Sequence, residues 1–363
     1  MVKASIVRNL NKVKLVIGNG FDLYCGLKTS YADFFGFRKT QYEKVIKWAK
    51  TFTNIDSFLS KENNEEFWNN LDCYNDLTAW DLLFCFCSYE KINEIPNWNW
   101  CNIEKIMLDS LKEPTSNVPF WQNVYLSLTG KNLNSTISLY EKCIAAFIKR
   151  SPDKMKLSSE NKFYSYLLDK LKIFEKSFGK FIRKATFTNS VEDDDDYDKM
   201  ARRTIHRFCS LENISCIDTF NYDEPKIRTL ESKFTHINGD LENPIFGVDS
   251  NFFSPSDSRY LFTKTCRRME WNMTKRIEKS ISDFDNIIIF GHSLDEADYS
   301  YFFSIFDKLN IADISCKAKI VFGYTIYKET LEDEILVSTR VCIARLFQAY
   351  ANMSFPIFAK TDF

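Results

Sequence analysis

Glycine and proline are scarce in this chain, with 10 Gly and 8 Pro among 363 residues. An all-β fold of many tight turns uses more of both, so the scarcity argues against it and favours a helix-rich protein. Histidine is scarcer still: there are three, set far apart, and the 11 cysteines contain no Cys-x-x-Cys pair. Cys85 and Cys87 stand a single residue apart, too close for the usual zinc spacing, so no metal site is expected. An odd cysteine count without a framework reads as reduced, mostly buried thiols. No run approaches the ~20 apolar residues of a membrane span. The first apolar run, at residues 15–17, is too short for a secretory signal core, and the expectation is a cytoplasmic protein without membrane contact. An excess of either charge is also lacking: 48 Lys+Arg stand against 49 Asp+Glu, a net charge of −1. That removes the whole-protein field that gathers nucleic acid, and a nucleic-acid partner is not expected. Two local basic clusters, Arg202/Arg203/His206 and Lys264/Arg267/Arg268, read as solvated faces.

What is plentiful is apolar: 45% of residues are hydrophobic, with 33 Phe and 17 Tyr, enough for one large core or two smaller ones. Five short runs rich in Ile, Val or Phe read as strands, at 14–17, 214–220, 233–238, 286–290 and 319–324. Runs such as IIIF and KIVFG look buried on both faces, as in a parallel sheet covered by helices. Between Ser30 and His206 apolar residues recur at helical spacing, as in Phe163, Tyr166, Leu167, Leu171, Phe174, Phe178 and Phe181. The stretch 137–148 has the same character, and 329–351 reads as a final helix. The acidic run 192–196 reads as a solvated loop. The predicted fold class is α/β, a Rossmann-like, mostly parallel sheet with a large helical insertion. Its core would be 1–37 and 207–363, and its insertion 38–206.

Three of the predicted strands lead into glycine: Gly18, Gly239 and Gly291. In open α/β sheets ligands gather where the chain leaves the carboxyl ends of strands. The first of these turns, Gly18-Asn19-Gly20 followed by Phe21 and Asp22, lets the backbone bend sharply and approach a ligand closely. If a helix opens there, its amides would face an anion. Leu23 stands where a dinucleotide fingerprint has its third glycine, so ligand loop and structural turn both remain open. Asp22 would cap local amides or hold a ribose hydroxyl. His292 would serve as a base or phosphate donor, or cap its own turn through Nδ1. Asp295 and Asp298 would do acid–base work, hold Mg²⁺ or favour a helix dipole.

The segment IGNGFDLYCGLKTSY resembles the opening motif of the AbiH family of phage abortive-infection proteins. So do Trp100 and Glu104 in NWNWCNIEKI, IDTFNYD at 217–223, FTHINGDLENPIFGVD at 234–249 and IIIFGHSLDEADYSYF at 287–302, in order along nearly the whole chain. The resemblance implies bacterial defence in which an infected cell stops growing or dies. The same blocks are similar to sirtuin-type NAD-cleaving proteins. That similarity implies a site for NAD or another nucleotide, built from Gly18, Asn19, Gly20, Phe21, Asp22, Thr219, Asn238, Gly239, Gly291 and Ser293. Its catalytic residues would be Asn221 to position water, Asp223 to fix the pocket, and His236 or His292 as base. One position departs: Asn238 stands before Gly239 where both families usually have His, and an amide takes no proton at neutral pH. Two functions follow as expectations, a nucleotide-consuming effector that hydrolyses NAD and a non-catalytic sensor of a nucleotide or phage component. A phage-encoded trigger and an oligomer are compatible with either.

Overall fold

The computed structural model describes residues 10–51, 76–89, 100–112, 118–130, 138–150, 157–192, 196–270, 284–324 and 332–354. Five strands form one sheet: β1 (Val13–Ile17), β2 (Ile214–Thr219), β3 (Phe234–His236), β4 (Asn286–Phe290) and β5 (Lys319–Gly323). Their order is β3-β2-β1-β4-β5, and every pairing is parallel. All five predicted runs are strands, and the α/β class with a Rossmann-like order is observed. β3 is shorter than its apolar run because Lys233 ends a 3-10 turn and the chain turns away after His236.

Twelve α-helices lie among the described residues. They are α1 (Asn19–Tyr24), α2 (Tyr31–Phe37), α3 (Lys39–Thr51), α4 (Ala79–Tyr89), α5 (Trp100–Leu111), α6 (Phe120–Thr129), α7 (Leu139–Arg150), α8 (Glu160–Glu192), α9 (Asp196–Phe208), α10 (Lys264–Glu270), α11 (Tyr299–Leu309) and α12 (Glu332–Ser354). Every described element from α2 to α9 is an α-helix, the large helical insertion that the periodicity predicts. Of the acidic run, Glu192 ends α8 and Asp196 opens α9, and 193–195 lie outside the described residues.

The chain divides into two compact units. The first gathers the described residues within Met1–Thr29, Ile182–Leu241 and Arg268–Phe363, and it holds the sheet. On one face Leu15, Ile17, Ile217, Ile288 and Phe290 pack with Phe21 of α1 and Ala201, Ile205 and Phe208 of α9. On the other, Val16, Ile287 and Ile289 pack with Phe302 and Phe306 of α11 and Leu346 and Tyr350 of α12. β1 is buried at all five positions because it is central and covered on both sides. β5 differs from expectation. Its KIVFG run is half-buried to exposed, because it lies at the edge of the sheet and a single strand flanks it.

Lys14 is the one charge in β1, and it is fully buried. Its Nζ lies 2.6 Å from Asp218 Oδ2 on β2, and the Tyr301 hydroxyl of α11 donates to the same oxygen. Stripped of its hydration, the pair depends on such bonds, and a hydrogen bond to a charged group contributes about 1.5–3 kcal/mol. Tyr301→Phe is expected to lose about that much stability in urea titration. An unchanged midpoint would show that the hydroxyl contributes nothing to the pair.

The second unit gathers Ser30–Phe181 and Glu242–Arg267. Ser30 caps α2 in a reciprocal box with Asp33, which fixes where that helix starts. Its core is aromatic: Tyr31 stacks on Phe178 at 5.0 Å, Trp80 meets Trp121 edge-on at 4.9 Å, and Phe34 packs on Phe174. The basic cluster expected to be solvated is instead buried, with Lys264, Arg267 and Arg268 at 1%, 2% and 6% exposure. Each lies within salt-bridge distance of a carboxylate, Glu104, Glu175 and Asp298 respectively, which is what makes burying a cation tolerable. The other cluster behaves as expected: Arg202, Arg203 and His206 are exposed on α9.

Among the described residues no helix is long and apolar enough to cross a membrane. The nine described cysteines are free, four buried and five half-buried. Burial pushes the thiols of Cys25 and Cys143 up to about 12, which keeps both protonated and poor nucleophiles at neutral pH.

Candidate functional site

Parallel pairing brings the carboxyl ends of all five strands to one edge of the sheet. The strand order reverses between β1 and β4, and there the turns after the two strands touch. Gly18 N–H donates to Phe290 O at 3.1 Å and Gly20 N–H to Gly291 O at 2.8 Å. A Cβ on Gly18 would lie 2.7 Å from Gly291 O, and one on Gly20 would lie 2.8 Å from Gly291 Cα. Gly291 has φ +67°, and its Cβ would lie 2.3 Å from Phe21 N. The three glycines therefore let two backbones meet. α1 does open at this turn, but the Gly20 amide goes to Gly291 and the Phe21 amide to Gly18 O at 2.8 Å. Those two donors are satisfied inside the protein and do not line an anion cradle.

Neighbouring side chains tighten the same edge. Asn19 Oδ1 accepts from the Thr29 hydroxyl at 2.7 Å. Asn221, just past β2, links three strand ends. Its Nδ2 donates to Gly18 O at 3.2 Å, its N–H donates to Thr219 Oγ1 at 3.0 Å, and its carbonyl lies 2.9 Å from His236 Nδ1. Gly239, with φ +85°, turns the chain after Asn238.

Two carboxyl groups are placed together here, Asp22 on α1 and Asp223 after β2, and both are buried. Burial first, then the charge of Asp223, holds Asp22 well above the usual carboxylate range, against the pull of the Tyr197 hydroxyl 2.8 Å from Asp22 Oδ1. Burial likewise raises Asp223 to about 6, moderated by the Asp22 carboxyl beside it. Two carboxylates side by side in a dry site cannot both ionise readily. Among the described residues no donor in good hydrogen-bond geometry reaches either oxygen of Asp223, which leaves the carboxyl with acceptor capacity to spare.

The histidines are placed differently from free bases. Leu294 N–H donates to His292 Nδ1 at 2.9 Å, the turn-capping arrangement, so that nitrogen's lone pair is occupied. The ring packs edge-on against Phe220 at 4.2 Å, and its Nε2 lies 3.5 Å from Asp298 Oδ2. His236 faces acceptors at both nitrogens, Asn221 O and Glu224 Oε2, the latter at 3.4 Å. Burial lowers its affinity for a proton, but Glu224 and the Asn221 carbonyl outweigh burial and the net shift is upward. A group whose folded value is raised stabilises the fold fully below its unfolded value, about 6.5. That stability is lost as pH rises through the folded value. Glu224→Gln is therefore expected to move the His236 titration to lower pH by NMR. An unchanged titration would remove Glu224 as the cause.

Asn238 is 1% exposed and its Oδ1 accepts from Arg268 Nη2 at 2.7 Å. The same nitrogen reaches Asp298 Oδ1 at 3.1 Å. Ser293 is exposed on the turn after β4. Asp295 caps the 3-10 turn Glu296–Asp298 by accepting from Ala297 N–H, so it is a capping acid and its carboxylate is already engaged. Glu104 pairs with Lys264 at 2.7 Å in the second unit, and the Trp100 side chain lies outside the described residues. Sequence reasoning passed over the pairing of Asp22 with Asp223 and the part played by Tyr197. Tyr197 and Asp22 are 175 positions apart, and no spacing rule connects them. Among the described residues no three His, Cys, Asp or Glu side chains gather as metal ligands.

Strand order, parallel pairing and a polar site at the reversal define an open, doubly covered α/β protein of Rossmann-like topology. The profile of the family described as "Bacteriophage abortive infection AbiH" matches residues 15–322. The chain belongs to that family, and its role is in phage abortive infection. No curated protein and no solved structure matches it.

Proposed function

We propose that this protein acts in abortive infection through a ribose-bearing nucleotide bound at the carboxyl ends of β1, β2 and β4, with NAD hydrolysis as its chemistry. The observation that supports this most is Asp223, a buried carboxylate at a strand end with no donor in good geometry on either oxygen among the described residues. A ribose diol supplies two hydroxyl donors, and open α/β proteins bind nucleotides at this edge. In hydrolysis, water attacks the anomeric carbon, the glycosidic bond to nicotinamide breaks with its electron pair, and one proton leaves the water. Asp223, raised to about 6, is ionised at neutral pH yet basic enough to take that proton. The base role thus falls to Asp223, because His236 and His292 both have nitrogens engaged with protein groups.

A second reading, nucleotide sensing without turnover, is favoured by Asn238, whose amide supplies no base and whose oxygen is committed to Arg268. One experiment separates the two. NAD⁺ is followed through infection in cells carrying the wild type, Asp223→Asn or an empty vector. The hydrolase reading expects collapse with the wild type alone. Steady NAD⁺ alongside intact protection would overturn it and leave the sensor.

A further inference from the structure

Arg267 spends both terminal nitrogens on Glu175, at 3.0 and 2.7 Å. Arg268, the next residue, is used differently. Among the described residues one nitrogen, Nη2, makes both of its hydrogen bonds, to Asn238 and Asp298, and its Nε has no partner. The amide Nδ2 of Asn238 also has no partner among the described residues. Both side chains are more than nine-tenths buried, at 6% and 1% exposure. Two hydrogen-bonded neighbours therefore each keep a buried, unspent N–H donor, one of them on a permanently charged guanidinium. Native interiors leave few such groups unmatched.

We propose that Arg268 and Asn238 form an oxyanion subsite that takes a phosphoryl group of the nucleotide's diphosphate. This rests on the nucleotide reading above and adds where its charge is held. Asn238 follows β3 and Asp298 follows the β4 turn, so Arg268 ties together two of the strand ends at the edge that carries Asp223. Donors screened from water bind an oxyanion more strongly than exposed ones do, and a guanidinium with an adjacent amide suits phosphoryl oxygens. The site gives a positive use to the residue that departs from the family pattern: Asn238 keeps a donor at neutral pH whatever its surroundings. It also replaces the amides of the Gly18–Gly20 turn as the anion's partner, because two of those are already spent.

Asn238→Asp tests this. It preserves size and the oxygen that accepts from Arg268, and it turns the unspent donor into an acceptor. Affinities for pyrophosphate, ADP and adenosine are measured by calorimetry on the full chain, with a urea unfolding curve confirming that the variant folds. The wild type is expected to bind pyrophosphate, and ADP at least about tenfold tighter than adenosine, with both pyrophosphate affinity and the ADP advantage lost in the variant. Equal affinity of wild type and folded variant for pyrophosphate and ADP would overturn the subsite, as would a wild type that ignores pyrophosphate. Should the variant fail to fold, Asn238→Ser, which removes the amide donor with less charge change, is read in its place. Asn238-dependent pyrophosphate binding without any adenosine binding would uphold the subsite and sink the nucleoside reading. Adenosine binding without a phosphate advantage would do the reverse.

Discussion

Replacing Gly291 with alanine is expected to cost about 3 kcal/mol or more, with loss of phage protection. Two causes add. The residue has φ +67°, where an L side chain is strained by roughly 1–2 kcal/mol. Its Cβ would also sit 2.3 Å from Phe21 N and 2.6 Å from Gly20 C, both backbone atoms that no rotamer change can move. To relieve the overlap, the β1 and β4 turns must separate, breaking the Gly20 N–H to Gly291 O bond and displacing Asp22 from Asp223. Gly130 is the control: its φ of +68° is nearly the same, but nothing lies within 4 Å of its added Cβ. Gly130→Ala should therefore show the strain alone, about 1–2 kcal/mol. The measurement is the urea midpoint of both variants. Equal losses would mean that contact between the turns is not what the glycine serves.

Asp223→Asn is expected to act the opposite way, removing function while leaving stability equal or higher at neutral pH. An amide of the same shape has no charge to desolvate and supplies no base. If Asp223 takes a proton in the reaction, turnover falls by about 10²–10⁴-fold. The stability half has a definite sign. The folded value of Asp223 is about 6 and the unfolded value is near 3.9, so between those limits the native state holds more protons than the unfolded one. Wild-type stability therefore falls as pH rises across that window, and the loss is complete above it. Asp22, also raised, contributes in the same direction. Asp223→Asn should flatten much of that fall when unfolding is followed from pH 4 to pH 8. A variant as pH-sensitive as the wild type would show that Asp223 is not the source of the fall. A variant as active as the wild type would show that Asp223 is not used.

Much of the fold is legible in the sequence because its determinants are local or periodic. Five short apolar runs can only be strands of a covered sheet, and a 3.6-residue repeat through 163–181 can only bury one helical face. The edge strand β5 escaped this logic, since KIVFG carries no mark of having a neighbour on one side alone. Basic residues 264, 267 and 268 escaped it as well. Their carboxylate partners at 104, 175 and 298 are distant in sequence, and only folding shows that they are paired and buried.

The candidate site divides in the same way. Its segments were readable, because a strand followed by glycine marks a turn at the carboxyl end of a parallel sheet, and the family motifs fall on those turns. What each residue touches there was decided by contacts between positions as far apart as Gly18 and Gly291. Gly18 and Gly20 left ligand loop and structural turn open, and folding places Gly291 against them. His236 read as a base, and His292 as a base, a phosphate donor or the cap of its own turn; the Asn221 carbonyl and the Leu294 amide engage their rings. Asp22 and Asp223 read as separate, but folding buries them side by side, and the Tyr197 hydroxyl of α9 donates to Asp22. Residue type and local period determined the elements, their order and the edge at which the chemistry sits. Tertiary structure alone decided protonation and free donor or acceptor capacity, because both depend on which charges and hydrogen-bonding groups folding brings within a few ångströms.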